Sequence, residues 1–479
     1  MSYFPERQMI QGVFGDSVTS PLVPHVTLKS TYGLLDECST LTYFGGSATS
    51  LNNEFVCSTG TSVGGFATIL SRRPVVYIPG LGAEARITLR CSTPVANSIQ
   101  MCGFFTASDG LFAGYQGTQF GVSHRFGGRV ELRAITVTTP SSSSVNVNIT
   151  VDGVNYVVPV TSTTAQNNAH EIEIGLLQTS LSEVWFIQHI DNTVVLTAKT
   201  DGPRSGSYSI VPVSGTLVAN VAQVWAGLSA TENFTPQSSW NVDKCLWLDP
   251  LKGNIFKFEY AYLGYGCLKY SVFNPITRSF VLCHSIDWTN SNTTVNLGNP
   301  SLRVGWVAQS RGSSSNLSVY GGSAMAGLQG KASRLQSFGA YGVSTGVTTE
   351  SQLLSIQVRR EFGGRANLGI VLPKILTLST DSTKGAVFKI YISPTVNGNT
   401  IHNYVNQVQS ICTYDTAGTT VSGGKLLSVY SVGPQGRITI DLDPLKYVFV
   451  TGDEIVITSQ VTSGAASEMT ASMTWEEVT

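Results

Sequence analysis

The feature that most restricts what this chain can fold into is alternation. Along most of its length apolar and polar residues take turns, and the runs stop at Gly, Pro, Asn or Asp. Successive side chains of a strand point to opposite faces, so a period of two marks a half-buried strand. The segment Gly253–Ile286 shows it most clearly and carries eight Phe or Tyr residues. Phe256, Phe258, Tyr260 and Tyr262 share one face, while Lys257 and Glu259 point the other way. Leu263–Gly266 turns the chain, a second strand runs to Phe273, and Asn274-Pro275 opens the next turn. The third strand places Phe280, Leu282, His284 and Ile286 on one side. The pattern predicts a three-stranded antiparallel meander whose aromatic face packs on a second sheet about 10 Å away.

Other segments extend this reading. In Ala85–Cys91, Ala85, Ile87, Leu89 and Cys91 alternate with Arg86, Thr88 and Arg90, and short strands with Gly turns follow to about residue 135. Together with the meander and a strand near Leu302–Gln309 they make one sandwich. A different pattern lies between. VNVNITVDGVNYVVPV is a hairpin about Asp152-Gly153, a pair suited to two positive-φ turn positions. TTAQNNAHEIEIGLLQTS is the best helix candidate, with Ala169, Ile172 and Leu176 on its apolar face. A second hairpin turns at Asp191-Asn192, so the segment reads as a small ββ-α-ββ-β unit. After Val319 the small-residue stretch YGGSAMAGLQGKASRLQSFGAYGVSTGVTT reads as a linker or packed crossover. From Leu353 alternation resumes, with strands numerous enough for a second sandwich. The expected architecture is mainly β: multidomain antiparallel β-sandwiches, jelly-roll or lectin-like, with an inserted α+β module. The expected divisions are 1–139 with 223–345, the insert 140–222, and 346–479.

Composition narrows the chemistry. Of 479 residues only 12% are charged, about half the usual share, so polar strand faces are largely Ser, Thr, Asn and Gln. A net charge of −1 argues against electrostatic capture of nucleic acid. Arg72-Arg73 and Arg359-Arg360 read as solvated pairs at strand ends. The opening MSYFPERQMIQG lacks the apolar run of a secretory signal, and no run is long enough for a membrane span. Eight cysteines without C-x-x-C spacing read as buried thiols, not a disulfide framework or zinc site. Sequons at Asn148, Asn233, Asn292 and Asn316 read as chance matches.

The search for a site starts with histidine. His25, His124, His170, His189, His284 and His402 are far apart along the chain, with no H-x-x-x-H. His284 reads as a hydrogen-bonded core residue and His124 as the one best placed for exposure. GTSVG and GVSTG match G-x-S-x-G at Ser62 and Ser344, but a nucleophile elbow needs a helix next, and neither has one. Glu259, Asp287 and Asp249 are the carboxylates for a glycosidase pair, with Glu259 expected to be solvated on a polar face. Tyr115, Trp240 and Trp288-Thr289-Asn290 would stack on sugars from end loops, against the simpler reading that they close the core. No phosphate-binding loop occurs. The sequence therefore assigns no catalytic, cofactor-binding or metal-ligating residue, and the chain is expected not to be an enzyme.

The order of segments carries a resemblance. GLFAGYQGTQFGVSHRFGGRVELRA is followed by TVDGVNYVVPV and NTVVLTAKTDGPRSGSYSI. FTPQSSWNVDKC and LDPLKGNIFKFEYAYLGYGCLKYSVFNPITRSFVLCHSIDWTNSNTTVNLGNPSL come next, and SGGKLLSVYSVGPQGRITIDL and TGDEIVITSQVTSG close the chain. This order resembles a virion-protein type of large DNA viruses, the marseillevirus-like giant viruses among them, and of some phages. It spans about residues 10–479. The resemblance implies a structural protein of the capsid surface, a cap, decoration or fibre-like component, made in the host cytoplasm. Its implied partners are copies of itself, as a homotrimer by analogy with caps and fibres, and the major capsid protein. No functional residue is carried over, because none of the segments is a catalytic motif. A carbohydrate-binding attachment protein that recognises a host surface glycan is the alternative, and a glycan-cleaving enzyme the third reading. The inserted module is the expected exposed part, since insertions survive where they do not disturb packing.

Overall fold

A computed structural model describes residues 23–330, 336–463 and 466–479; the opening MSYFPERQMIQG lies outside them. The chain is mainly β, built of antiparallel sheets with one small α+β module. It divides into two compact units, Met1–Gly128 with Ser229–Ser333, and Arg129–Leu228 with Arg334–Thr479.

The first unit is a sandwich of a nine-stranded and a seven-stranded sheet. The meander Asn254–Ala261, Leu268–Asn274, Ser279–Ile286 forms one end of the larger sheet, and Gly82–Cys91 pairs with its first strand. Phe256, Phe258 and Tyr260 are buried in the core with Phe104, Cys102 and Trp306 of the smaller sheet. The alternation thus reports the true inward face. Polar tips join the two sheets: Tyr270 donates to the Ser123 carbonyl at 3.1 Å, and the Trp306 indole to the Thr88 carbonyl at 2.7 Å.

The third strand departs from the expected pattern. Its register with Leu268–Asn274 shifts between Tyr270–His284 and Ser271–Leu282, leaving Cys283 as an extra residue. A bulge of this kind switches the face of all that follows. Val281, Cys283 and Ile286 therefore meet the core. Phe280 instead lies outside, edge-on to Phe273 and near the Arg86 and Lys257 cations.

The stretch after Val319 is not a linker. Its described residues form Ser318–Gly321, Ser323–Leu328 and the twelve-residue Gln336–Val347, all paired in sheets. Small residues are there for close approach. A Cβ on Gly321 would stand 2.2 Å from the Trp306 ring, and one on Gly342 2.1 Å from the Leu353 carbonyl oxygen.

In the second unit, the hairpin Val145–Val151/Val154–Val160 turns at Asp152 and Gly153, with φ of 53° and 79°. Trp185–Ile190 and Thr193–Asp201 form the second hairpin. The helix Ala165–Leu177 is capped by Thr164, whose side chain accepts from the Asn167 N–H. Ala169, Ile172 and Leu176 are buried in the module's core. Val130–Thr139 and Val218–Trp225 pair with each other within this module's sheet. Beyond them Arg129 and Leu228 exchange both backbone hydrogen bonds, at 2.8 and 2.9 Å. The same unit holds a second sandwich of five- and six-stranded sheets between Gln336 and Val478. In its last strand Met469, Ala471, Met473 and Trp475 alternate into the core.

Candidate functional site

Within the second unit, ionisable side chains that are distant in sequence meet where the helical module packs on the C-terminal sandwich. His170 and Glu173 stand three apart on the helix Ala165–Leu177, a spacing that puts both on one face. His189 comes from the strand Trp185–Ile190, and Thr400 and His402 from the stretch before Asn403–Tyr404. The His189 Nδ1 and a Glu173 oxygen form a short hydrogen bond, and the His189 Nε2 lies 3.0 Å from the Thr400 carbonyl oxygen. His170 Nδ1 is 3.0 Å from the Thr400 hydroxyl and 3.9 Å from Glu173. His402 packs its ring 4.8 Å from that of His189 and holds a left-handed φ of 55°. The Asp191 N–H donates to the Ile401 carbonyl at 2.8 Å, and the Arg360 N–H to the Gln188 side chain at 2.8 Å, so backbone bonds fix both sides.

The electrostatics follow from burial and proximity. Burial disfavours charge on His189, but the adjacent Glu173 carboxylate outweighs it and holds the imidazole above its ordinary pKa. For Glu173 burial again opposes charge, and His189 prevails, keeping the carboxylate below its usual range. The two directions agree on a buried imidazolium–carboxylate pair. Burial, then the charge on His189, pushes His402 down to about 3. Burial lifts Glu454 to about 7, with Asp415 and Glu173 adding to the rise. Asp415 accepts from the Ile401 N–H at 2.8 Å and the Gln352 amide at 2.6 Å. Two imidazoles and a carboxylate held together in this way can share a proton or hold a cation. Sequence reasoning missed the cluster because 230 positions separate His170 from Thr400; the H-x-x-E spacing on a helix was its single local trace.

The residues singled out from sequence lie elsewhere. Ser62 sits in an exposed turn and Ser344 within the strand Gln336–Val347, and neither leads into a helix. Glu259 is buried, not solvated: Lys257 pairs with it at 2.8 Å. Asp249 receives the Leu251 N–H of its own turn, and Asp287 is exposed. His124 is also buried, within the strand Gln119–Phe126, bonded at 2.7 Å to the Asn296 carbonyl. His284 is the hydrogen-bonded buried histidine expected, accepting from the Asn241 N–H at 3.3 Å. Trp240 and Trp288 are buried and Tyr115 packs against the core, whereas Thr289 and Asn290 are exposed. Arg359-Arg360 is no solvated pair. Arg359 is buried and donates to the Gln407 and Ser410 carbonyls at 3.1 Å, and Arg360 lies over the Phe186 ring at 4.4 Å. None of the eight cysteines is joined in a disulfide, and six of them are buried. Among the described residues no helix is long and apolar enough to cross a membrane.

No protein-family model matches the chain. No curated protein matches it in sequence. Solved structures to which it is similar include the metal-free carbohydrate recognition domain of Emp46p, at 10% identity over 65% of this chain and 96% of that one, with a TM-score of 0.24. A lectin from Bauhinia forficata, solved in complex with GalNAc, is 9% identical over 64% and 99% of the two chains, with a TM-score of 0.23. VP2 of infectious bursal disease virus, as a subviral particle, is 9% identical over 84% and 79%, with a TM-score of 0.15. At these values the likenesses carry no function over to this chain.

Proposed function

We propose that this chain is a non-enzymatic structural protein of a virion, a cap, decoration or fibre-like component of the capsid surface that acts through protein–protein interfaces. One observation carries the reading. The outer face of the five-stranded sheet in the second unit carries a stretch of uncharged side chains, beyond which Asp441 and Glu476 stand on the same face. Tyr341, Val343, Ile375, Thr377, Ser379, Thr470 and Ser472 occupy the stretch, with Arg437 as a cation at its edge. Interface cores are depleted in charge and enriched in aromatic residues, and Tyr341 is 70% exposed here. Self-association, as a homotrimer, and contact with the major capsid protein belong to this proposal, as does the resemblance to giant-virus and phage virion proteins. Closed symmetry is the usual way in which one chain uses such a face. Quantitative mass spectrometry of purified particles tests it. A fixed ratio to the main shell protein is the expected result, and absence from particles refutes it.

A second reading, glycan binding, is supported by one loop cluster. Tyr265 is 42% exposed, and the Thr289 hydroxyl donates to its carbonyl at 2.7 Å beside exposed Asn290. An exposed aromatic ring among polar loop groups suits a sugar face. Binding on a glycan array that is lost in Tyr265→Ala, with folding intact, would favour it.

A further inference from the structure

We propose that His170, Glu173 and His189 bind a divalent transition-metal ion of the zinc class, which ties the helix Ala165–Leu177 to the strand Trp185–Ile190. The three side chains offer two imidazole nitrogens and a carboxylate oxygen, all within 4.8 Å of one another. Zinc takes this donor set at about 2.0–2.2 Å, whereas calcium and magnesium prefer shells of oxygen. Tetrahedral coordination at those lengths sets ligand atoms on the order of 3.4 Å apart. Closure therefore asks the ligand atoms to shift by on the order of 1 Å.

Orientation adds a second argument. An N–H at His189 Nε2 donates to the Thr400 carbonyl at 3.0 Å, so it is Nδ1 that faces Glu173, and an ion bound there displaces the proton the two share. Metal-bound histidines hold their second nitrogen in this manner. The helix supplies the other two ligands from adjacent turns of one face. His402 adds a third. It is 4% exposed, packs against His189, and its Nδ1 has no partner within the protein. A buried polar atom left unpaired is costly, and this imidazole is the chain's candidate for a fourth position. Access is preserved, because the His170 and Glu173 side chains keep 12% and 13% exposure. The proposal is independent of the virion reading, since a clasp between these elements serves any role of the fold.

The test uses the full chain, stripped with a chelator and titrated with Co(II) while visible absorption is followed. The expected result is one equivalent of cobalt per chain, with the intense bands of a tetrahedral site, displaced by zinc. His170→Ala and Glu173→Gln should each weaken binding by more than about tenfold with circular dichroism unchanged. X-ray absorption of the zinc-loaded wild-type chain needs no variant and should show nitrogen and oxygen neighbours with imidazole outer shells. A folded wild-type chain that gives no cobalt bands overturns the proposal. So does a sulfur shell around zinc, or cobalt binding undiminished in both variants, since either moves the ion to the cysteines.

Discussion

His124 shows how one buried side chain ties stability to pH. Burial pushes its pKa down to about 4, from an ordinary value near 6.5, although its bond to the Asn296 carbonyl works the other way. Between those values the unfolded chain binds a proton that the folded chain refuses. The stability it contributes is whole above pH 6.5 and is lost as pH falls toward 4, a difference of about 3 kcal/mol at most. Asp109 acts in the opposite sense, since burial raises it to about 6 and the folded state holds its proton more tightly. The variant His124→Gln separates the two: its denaturation midpoint should fall less than that of the wild type between pH 7 and pH 4. Phe258 is fully buried, and Phe258→Ala should cost about 3–5 kcal/mol in urea unfolding. Near-wild-type stability in that variant would mean that the aromatic face is not core. Phe258 was legible in the sequence because its neighbours alternate with it. Glu259 and Arg359 were not, because a charged residue reads as solvated until its partner is known, and Arg359 finds the Gln407 and Ser410 carbonyls 48 and 51 positions further along the chain.

Elements were legible where turn chemistry and alternation agree. Asp152-Gly153 fixed its hairpin because two positive-φ residues at the turn match the twist of the strands. Thr164 caps the helix, and Thr164→Ala should cost about 1 kcal/mol of module stability, read by hydrogen exchange across Ala165–Leu177. The Cys283 bulge was not legible. One extra residue leaves local composition unchanged and reveals itself only in the partner strand's register. Small residues misled for a related reason: a run of Gly, Ala and Ser describes a flexible connector and a tightly approached strand equally well. Gly321→Ala separates the two. Overpacking against Trp306 should destabilise the sandwich by about 1–3 kcal/mol, where a connector would tolerate the methyl group within a few tenths.

At the scale of the whole molecule, the mainly β architecture follows from alternation, but the histidine cluster does not. Local patterns govern strands, whereas His170, His189 and His402 come together only once the sheets have chosen their order. Whole-molecule behaviour also tests the uncharged stretch of that sheet face. Tyr341→Lys with Val343→Lys should leave the fold intact and lower the mass measured by light scattering from an oligomer to a monomer. An unchanged mass would remove this face from the assembly. The paired backbone of Arg129 and Leu228 has a consequence of another kind. It joins the two ends of a hundred-residue excursion side by side. In the gene, such a segment is a cassette: one recombination event can add it, exchange it or delete it, and the host sandwich needs only a short splice to close behind it. Relatives of this chain should therefore differ most by what they carry between these two residues, and least in the sandwich that carries it.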